Sequence, residues 1–525
     1  DYPSSDANEP ISLSYEWPPS LNLDNNNELL LTLFLSTFAG DVSTNLYKRL
    51  VDSQTRQTDL TVSSVWAWSD HQNGSPISIG LSGVPAGDID DETVADIRAQ
   101  IQDELTKIAG WAADSDHLAQ FNQRMLTLVI ARERHARAYL NGPPGFGDRG
   151  TGTNWHSFLE NLEDNDGFDK SLAQAPELAY VRSELSRDSN IWADHLTAWG
   201  MRETPPFAFF SRPSPELQAK IELDGRDRIT AEIQRLETRF DVEDGQRALA
   251  AYQEEYNRAT AKLEALKQHA LPPFIEDPPL QADEFLDYHE DVVPNTQIPV
   301  VRSIFSSMTG ASVRLALDLR GVPDEDLMLL RALILLFDRV GVIENGEPVS
   351  SDEVLQRTRR EISNASLSFT TNPDTGRAEL MAVATGTTPE ETQLALGWLE
   401  LFLYHPDLRP DNLARIRDVL DHRLVHSRRH IKGSEEDWVS KPMSAYRWQR
   451  DPIHQRLSSL WTRQHDTMRL RWIFRADEQG TATAAIDALA GASKLPAEQL
   501  AVLLHAVRGE AEPTDVMAPY LSALN

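Results

Sequence analysis

Three histidines, His422, His426 and His430, recur at steps of four. On a helix that spacing puts all three on one face. The chemistry such a row could do is metal binding, because imidazoles four residues apart can share one zinc ion. A catalytic zinc centre also needs a further ligand and a general base beside its water. Here the run reads His422-Arg-Leu-Val-His426, without the glutamate of HExxH or HxxEH. Arg417, Arg423, Arg428 and Arg429 stand around it and would repel a cation. The row therefore reads as the solvated basic face of a helix.

A second pattern, Gly145-Phe-Gly147-Asp-Arg-Gly150, spells GxGxxG. A dinucleotide site needs a strand before those glycines and a helix N-terminus after them. Here a helix precedes and more glycine follows, so Asn141 to Asn154 is expected to be a mobile loop. No GxSxG elbow and no Walker loop occurs. The other histidines are scattered, and no carboxylate pair stands out among 81 acidic residues. No catalytic, cofactor-binding or metal-binding residue is assigned from the chain alone.

Composition narrows the classes further. There is no cysteine, which removes disulfides, thiolate catalysis and cysteine-held zinc or iron. The net charge of −31 disfavours nucleic acid, whose phosphates need a basic surface, and suits basic peptides or cations better. Hydrophobic residues make up 40% of the 525, enough to fill proper cores. No apolar run approaches the roughly 18–20 residues of a membrane span, and Leu29 to Phe38 is too short. The expectation is a soluble chain with no membrane partner. A cytoplasmic or organelle-matrix setting is favoured over secretion, with the periplasm also open. No signal peptide is visible at Asp1, and a fragment or a processed product is expected.

The elements that must position these residues follow from periodicity. Ile11 to Trp17 alternates as a strand. Glu28 to Ala39 is a helix apolar nearly all round, and Asn45 to Asp52 a shorter one. Thr61 to Trp68 and Pro76 to Ser82 are strands, and Asp91 to Ala112 and His117 to Tyr139 are long helices. Trp155 to Phe210 looks helical, with Trp192, Trp199 and Phe207 to Phe210 as core candidates.

Farther on, Ser312 to Leu319 is a strand, and Glu325 to Val340 and Ser351 to Ile362 are helices. Ser366 to Thr371 and Arg377 to Thr385 are strands. Thr388 to Tyr404 and Pro410 to His430 are helices, with further candidates at Ser444 to Ser459 and Pro496 to Val507. The order of elements from Ile11 to Tyr139 thus recurs from Ser312 to His430, a duplication of long period.

Between the two copies, Pro215 to Pro273 reads as a charged helical hairpin. One arm carries Ile229, Ile233, Leu236 and Phe240. The other carries Leu249, Tyr252, Tyr256, Ala259, Leu263, Leu266 and Ala270, a three-and-four spacing expected at a helix seam. Asp241 to Gly245 supplies the turn, and prolines fence both ends.

The duplicated unit and hairpin resemble the pitrilysin-type zinc metallopeptidases, in particular their presequence-protease-like branch. The resemblance is carried by Asn45-Leu-Tyr-Lys-Arg-Leu-Val-Asp52, Ile77 to Val84, Glu216 to Leu271 and Val313-Arg-Leu-Ala-Leu-Asp-Leu-Arg-Gly-Val-Pro323. It implies an α+β fold of the LuxS/MPP-like metallopeptidase type, with two related sheet-plus-helices domains joined by a helical hairpin. In that family four such domains form two halves that close around an unfolded peptide. The first domain carries HxxEH and a later glutamate on zinc, and the fourth supplies an arginine and a tyrosine.

This chain resembles the central part only, and neither HxxEH nor the arginine–tyrosine pair is matched. The implied division is a second-type domain over 1–212, a hinge hairpin over 213–273, a connector over 274–310 and a third-type domain over 311–525. The implied role is a non-catalytic chamber wall and hinge of a peptide-degrading enzyme. Its partners would be a peptide substrate and the HxxEH-bearing and C-terminal domains. Zinc belongs to the complete enzyme and is not expected on this chain. An inactive structural or assembly subunit of the same fold, as in respiratory-complex core proteins, is the second reading, and an unrelated helical adaptor the third.

Overall fold

The computed structural model describes residues 1–19, 23–58, 60–69, 74–140, 174–267, 289–292, 299–302, 309–372, 375–431, 452–475 and 480–508. Strand β1 (Tyr2–Pro3) precedes β2 (Pro10–Trp17), whose alternation buries Ile11, Leu13, Tyr15 and Trp17. Helix α1 (Asn25–Phe38) starts where the Asp24 carboxylate accepts the Asn27 N–H at 2.8 Å, an N-cap. Its apolar surface is buried on most sides, as an all-round apolar helix requires.

Then come α2 (Asn45–Leu50), β3 (Ser64–Trp68), β4 (Ile77–Pro85), α3 (Asp91–Gly110), α4 (Asp116–Leu140), α5 (Ala175–Leu185), α6 (Trp192–Ala198) and β5 (Phe207–Phe210). The strands form one sheet in the order β3-β4-β2-β5. Strand β4 is buried on both faces. Trp66 of β3 lies over Gly80, where a Cβ would come within 2.0 Å of the indole, so only glycine fits.

The stretch Phe207 to Phe210 departs from expectation. It is an edge strand antiparallel to β2, not a helix, and Phe207 and Phe209 are 64% and 54% exposed. Phe207 pairs with Glu16 and Phe209 with Ser14, so both rings stand on the face opposite Leu13 and Tyr15. Hydrophobicity alone did not reveal which face that was. Trp192 and Trp199 are buried as expected.

Strand β6 (Pro213–Ser214) pairs in parallel with β1 and leads into α7 (Pro215–Phe240), capped by Ser214 Oγ accepting the Leu217 N–H at 3.1 Å. Asp241 takes a left-handed conformation at the end of α7, and α8 (Gly245–Lys267) turns back along it. These helices, residues 1–11 and residues 85–87 belong to one compact unit.

On α7 the expected Ile233 and Leu236 lie on the side toward α8, though Ile229 is exposed, while on α8 the buried stripe lies one residue away from the expected one. Leu236 and Ala248 are buried, and Gly245 comes close enough to Ile233 that a Cβ would lie 2.8 Å from its methyl. Leu249, Tyr252, Tyr256, Leu263 and Leu266 face outward instead. Small residues on the adjacent stripe let the helices approach more closely than a stripe of leucine and tyrosine would. Leu263 is 60% exposed, so Leu263→Asp should change stability by no more than about 0.5 kcal/mol. A urea midpoint shifted by several times that amount would contradict this placement. Residues 268–273 of the expected hairpin lie outside the described residues.

The remaining elements are β7 (His289–Val292), β8 (Pro299–Arg302), β9 (Ala311–Asp318), α9 (Asp324–Leu336), β10 (Val342–Glu344), β11 (Glu347–Val349), α10 (Ser351–Glu361), β12 (Asn364–Asn372), β13 (Arg377–Gly386), α11 (Pro389–Tyr404), α12 (Leu413–Ile431), α13 (Pro452–Ser458), α14 (Leu460–Arg475) and α15 (Thr481–Arg508). Among the described residues, strands β7 and β8 pair only with each other, antiparallel. The β10–β11 hairpin was not anticipated, although its signal is Asn345-Gly346, both at positive φ as a two-residue hairpin turn demands. Helix α14 was also missed, and α15 begins at Thr481 rather than Pro496.

The second large sheet has the order β12-β13-β9, all antiparallel. In each sheet the third strand of the repeated order, β4 or β13, lies between the first and the second. The order strand, buried helix, short helix, two strands, two long helices is shared too, with β10–β11 as an insertion in the later copy. Phe34, Phe38, Phe121, Trp192 and Trp199 fill the earlier core. Leu317, Leu333, Leu380, Leu399 and Phe402 help fill the later one. Residues 12–84, 88–210 and those from 289 onward belong to one compact unit, which holds the later sheet and all of the earlier one but Pro10, Ile11 and Pro85.

Candidate functional site

Helix α12 is built with two faces. Ile416, Leu420 and Leu424 are buried at steps of four, the first two within the later core. The flank carrying Ala414, Asp418, His422 and Val425 meets the segment after α2 and the entry to β3. Between them lies a cavity of about 500 Å³. Ser53, Arg56, Val62 and Gly83 line its other side. It is held together by the Ser53 N–H, which donates to Asp418 Oδ2 at 3.2 Å.

His422 packs edge-on against Tyr47, with ring centres 6.1 Å apart. Arg415 donates to the Tyr47 hydroxyl at 2.9 Å and lies over its ring. Burial, and then the charge of Arg415, push the His422 pKa down to about 4, so the ring is neutral at pH 7. Burial raises the pKa of Asp418, and likewise that of Tyr47. Asp421 accepts from both Arg471 and Arg475. The cavity is thus a place of neutral imidazole, committed carboxylates and several guanidinium groups.

The neutral histidine has a consequence for stability. An unfolded histidine titrates near 6.5, but His422 in the fold titrates near 4. Between those values the unfolded chain binds a proton that the folded chain refuses. Native stability therefore falls as the pH drops through that window, by on the order of 3 kcal/mol from this group. His422→Gln should remove that part of the slope. Melting temperatures of both proteins between pH 7 and pH 4.5 test it, and parallel curves would overturn it.

Among the described residues the histidine row forms no cluster that could hold a metal ion. His422 faces the cavity, His426 is exposed, and the His430 side chain lies outside the described residues. Arg415 and Arg417 share the helix, and Asp421 is already taken by two arginines. Among the described residues no three histidine or carboxylate side chains converge so as to hold a metal ion. The donor set around His422 does not fit zinc. The Gly145 to Gly150 pattern lies outside the described residues.

A second feature escaped the sequence reading because its parts are far apart. Arg134 of α4 points its guanidinium at the C-terminus of α10. It donates to the Arg359 carbonyl at 2.6 Å and to the Arg360 carbonyl, and its Nε lies 2.8 Å from Glu391 Oε1. These carbonyls end a helix and have no intrahelical partner, so a cation there is favoured. Lys48 with Asp352 at 2.5 Å and Arg359 with Asp41 at 2.7 Å join the same two regions. The α1–α4 region and the α10–α12 region are therefore held by ion pairs as well as by the cavity wall.

Among the described residues no helix is long and apolar enough to cross a membrane. No family model and no curated protein matches the chain. Among solved structures it is similar to pitrilysin, at 14% identity and a TM-score of 0.37 over 93% of this chain and 44% of that one. It is similar to the ferredoxin protease FusC, solved as a mutant in complex with Arabidopsis ferredoxin, at 12% identity and a TM-score of 0.35 over 95% and 50%. The periplasmic protease PqqL from Escherichia coli aligns at 13% identity and a TM-score of 0.24 over 97% and 50%. These are pitrilysin-like proteases at low identity, and the chain spans about half the length of each. TM-scores this low set no residue correspondence.

Proposed function

We propose that this chain forms a non-catalytic chamber wall and hinge of a pitrilysin-type zinc metallopeptidase that degrades unfolded peptides, in its presequence-protease-like branch. The observation that supports the reading is the recurrence of one topology. Two sheets share a strand order and a sequence of helices, and the α7–α8 hairpin lies between them in the chain. The sequence phrases around Asn45, Ile77 and Val313 support the same reading. In this proposal residues 1–212 and 311–525 are the wall domains, 213–273 the hinge and 274–310 the connector.

Zinc and the general base would come from a segment bearing HxxEH, where a metal-activated water attacks a peptide carbonyl. This chain's share is to enclose the substrate and to hold the halves in register. Its strong negative charge would favour basic peptides and would do so less at high salt.

The test is metal analysis and peptide cleavage by the purified chain, alone and then with a catalytic segment bearing HxxEH. The expected result is no stoichiometric zinc and no cleavage alone, with chelator-sensitive cleavage when the segment is added. Tight zinc and cleavage by the isolated chain would overturn the non-catalytic role. Inactivity in both conditions would overturn the peptidase role and leave a structural subunit.

A further inference from the structure

We propose that the cavity beside His422 binds a small carboxylate with an aliphatic body. The inference stands apart from the peptidase reading, because it rests on the cavity alone. Its volume, about 500 Å³, is in the range of small-molecule sites. Its wall combines two chemistries. Val51, Val62 and Val425 offer an aliphatic surface, and Arg56, Arg417 and Arg475 bring positive charge to the same space.

The two carboxylates on the wall do not cancel that charge. Asp421 is claimed by Arg475 and also by Arg471, so this cluster alone carries one net positive charge. Asp418 accepts the Ser53 N–H and sits where burial opposes its ionisation. Arg417 spends its Nε on the Phe474 carbonyl, at 2.7 Å. Arg56 lines the cavity with no carboxylate paired to it among the described residues. In a chain of net charge −31 this is a local reversal of sign.

An arginine fork matches a carboxylate in two parallel hydrogen bonds, which a neutral amide in the same place could not reproduce. The neutral ring of His422 adds a polar neighbour without adding charge. The aliphatic wall favours a ligand whose remaining surface is a branched hydrocarbon. Such a group occurs on a free acyl amino acid and also at the C-terminus of a peptide.

The experiment uses the full chain and isothermal titration with three probes: N-acetyl-leucine, its neutral amide, and an N-acetylated hexapeptide ending in leucine. The expected result is saturable binding of the acid and none of the amide. Arg56→Gln, melting as wild type, should weaken the acid by about tenfold or more. Equal affinity for the hexapeptide would assign the chain terminus as the source, and binding of the free acid alone would assign a small metabolite-like acid. Equal binding of acid and amide, no binding up to about 10 mM, or full affinity in a folded Arg56→Gln protein would each overturn the proposal.

Discussion

Arg134→Ala should lower the unfolding free energy by about 3–5 kcal/mol, the cost of leaving a largely buried charge without its partner. The carbonyls of Arg359 and Arg360 lose their donor at once, and the carboxylate of Glu391 loses the ion-pair partner that lies 2.8 Å from its Oε1. Glu391 is 8% exposed, so water replaces the guanidinium poorly there. Thr387 still donates to Glu391 Oε2, which keeps the carboxylate in place and unpaired.

Arg134→Lys should recover only part of the loss, because one ammonium cannot reach two carbonyls and a carboxylate in a planar fork. A double-mutant cycle with Glu391→Gln separates the ion pair from the helix cap. The measurement is the urea midpoint and slope of each protein. A loss under about 1 kcal/mol for Arg134→Ala would show that the contact is of the weak surface kind.

Phe34→Ala should destabilise by a similar amount, about 3–5 kcal/mol, for a different reason. The ring is fully buried and touches four other aromatic rings. Their centroids lie at 5.7 Å for Phe38, 5.6 Å for Phe121, 5.2 Å for Trp192 and 5.6 Å for Trp199. Truncation removes the apolar burial and leaves a space that stiff neighbouring rings cannot collapse to fill. Phe34→Leu retains much of the volume and should cost markedly less. Trp192 and Trp199 border the space, so their fluorescence should shift to the red in the folded alanine variant. Wild-type thermal stability together with unchanged emission would contradict this core.

These two sites differ in how far the chain announces them. Leu29 to Phe38 is so uniformly apolar that a buried helix follows from the residues themselves, and Phe34 with it. Strand β2 and the helices α3 and α4 follow in the same way, since periods of 2 and 3.6 are local properties. The recurrence of element order is legible for that reason too. Arg134 gives no such signal. It is one arginine among several on a helix, and its partners lie 225 or more residues away.

What the amino-acid sequence determined by itself was the recurring order of strands and helices, without β5, the β10–β11 hairpin or α14, together with the absence of any thiol chemistry and the lack of a zinc motif. What only the tertiary structure decided was which of two adjacent faces is used and which distant segments meet. On α8 the stripes Leu249-Tyr252-Tyr256 and Ala248-Ala251-Glu255 have the same three-and-four spacing. Periodicity cannot choose between them, and close approach of the helices selects the smaller one. In β5 the pattern of Phe207 and Phe209 marks a strand face without saying whether that face is covered. The cavity at His422 joins Ser53 to Asp418 across 365 residues. Hydrophobic patterning falls off within a single element, so a site made from two elements so far apart exists only once the chain has packed.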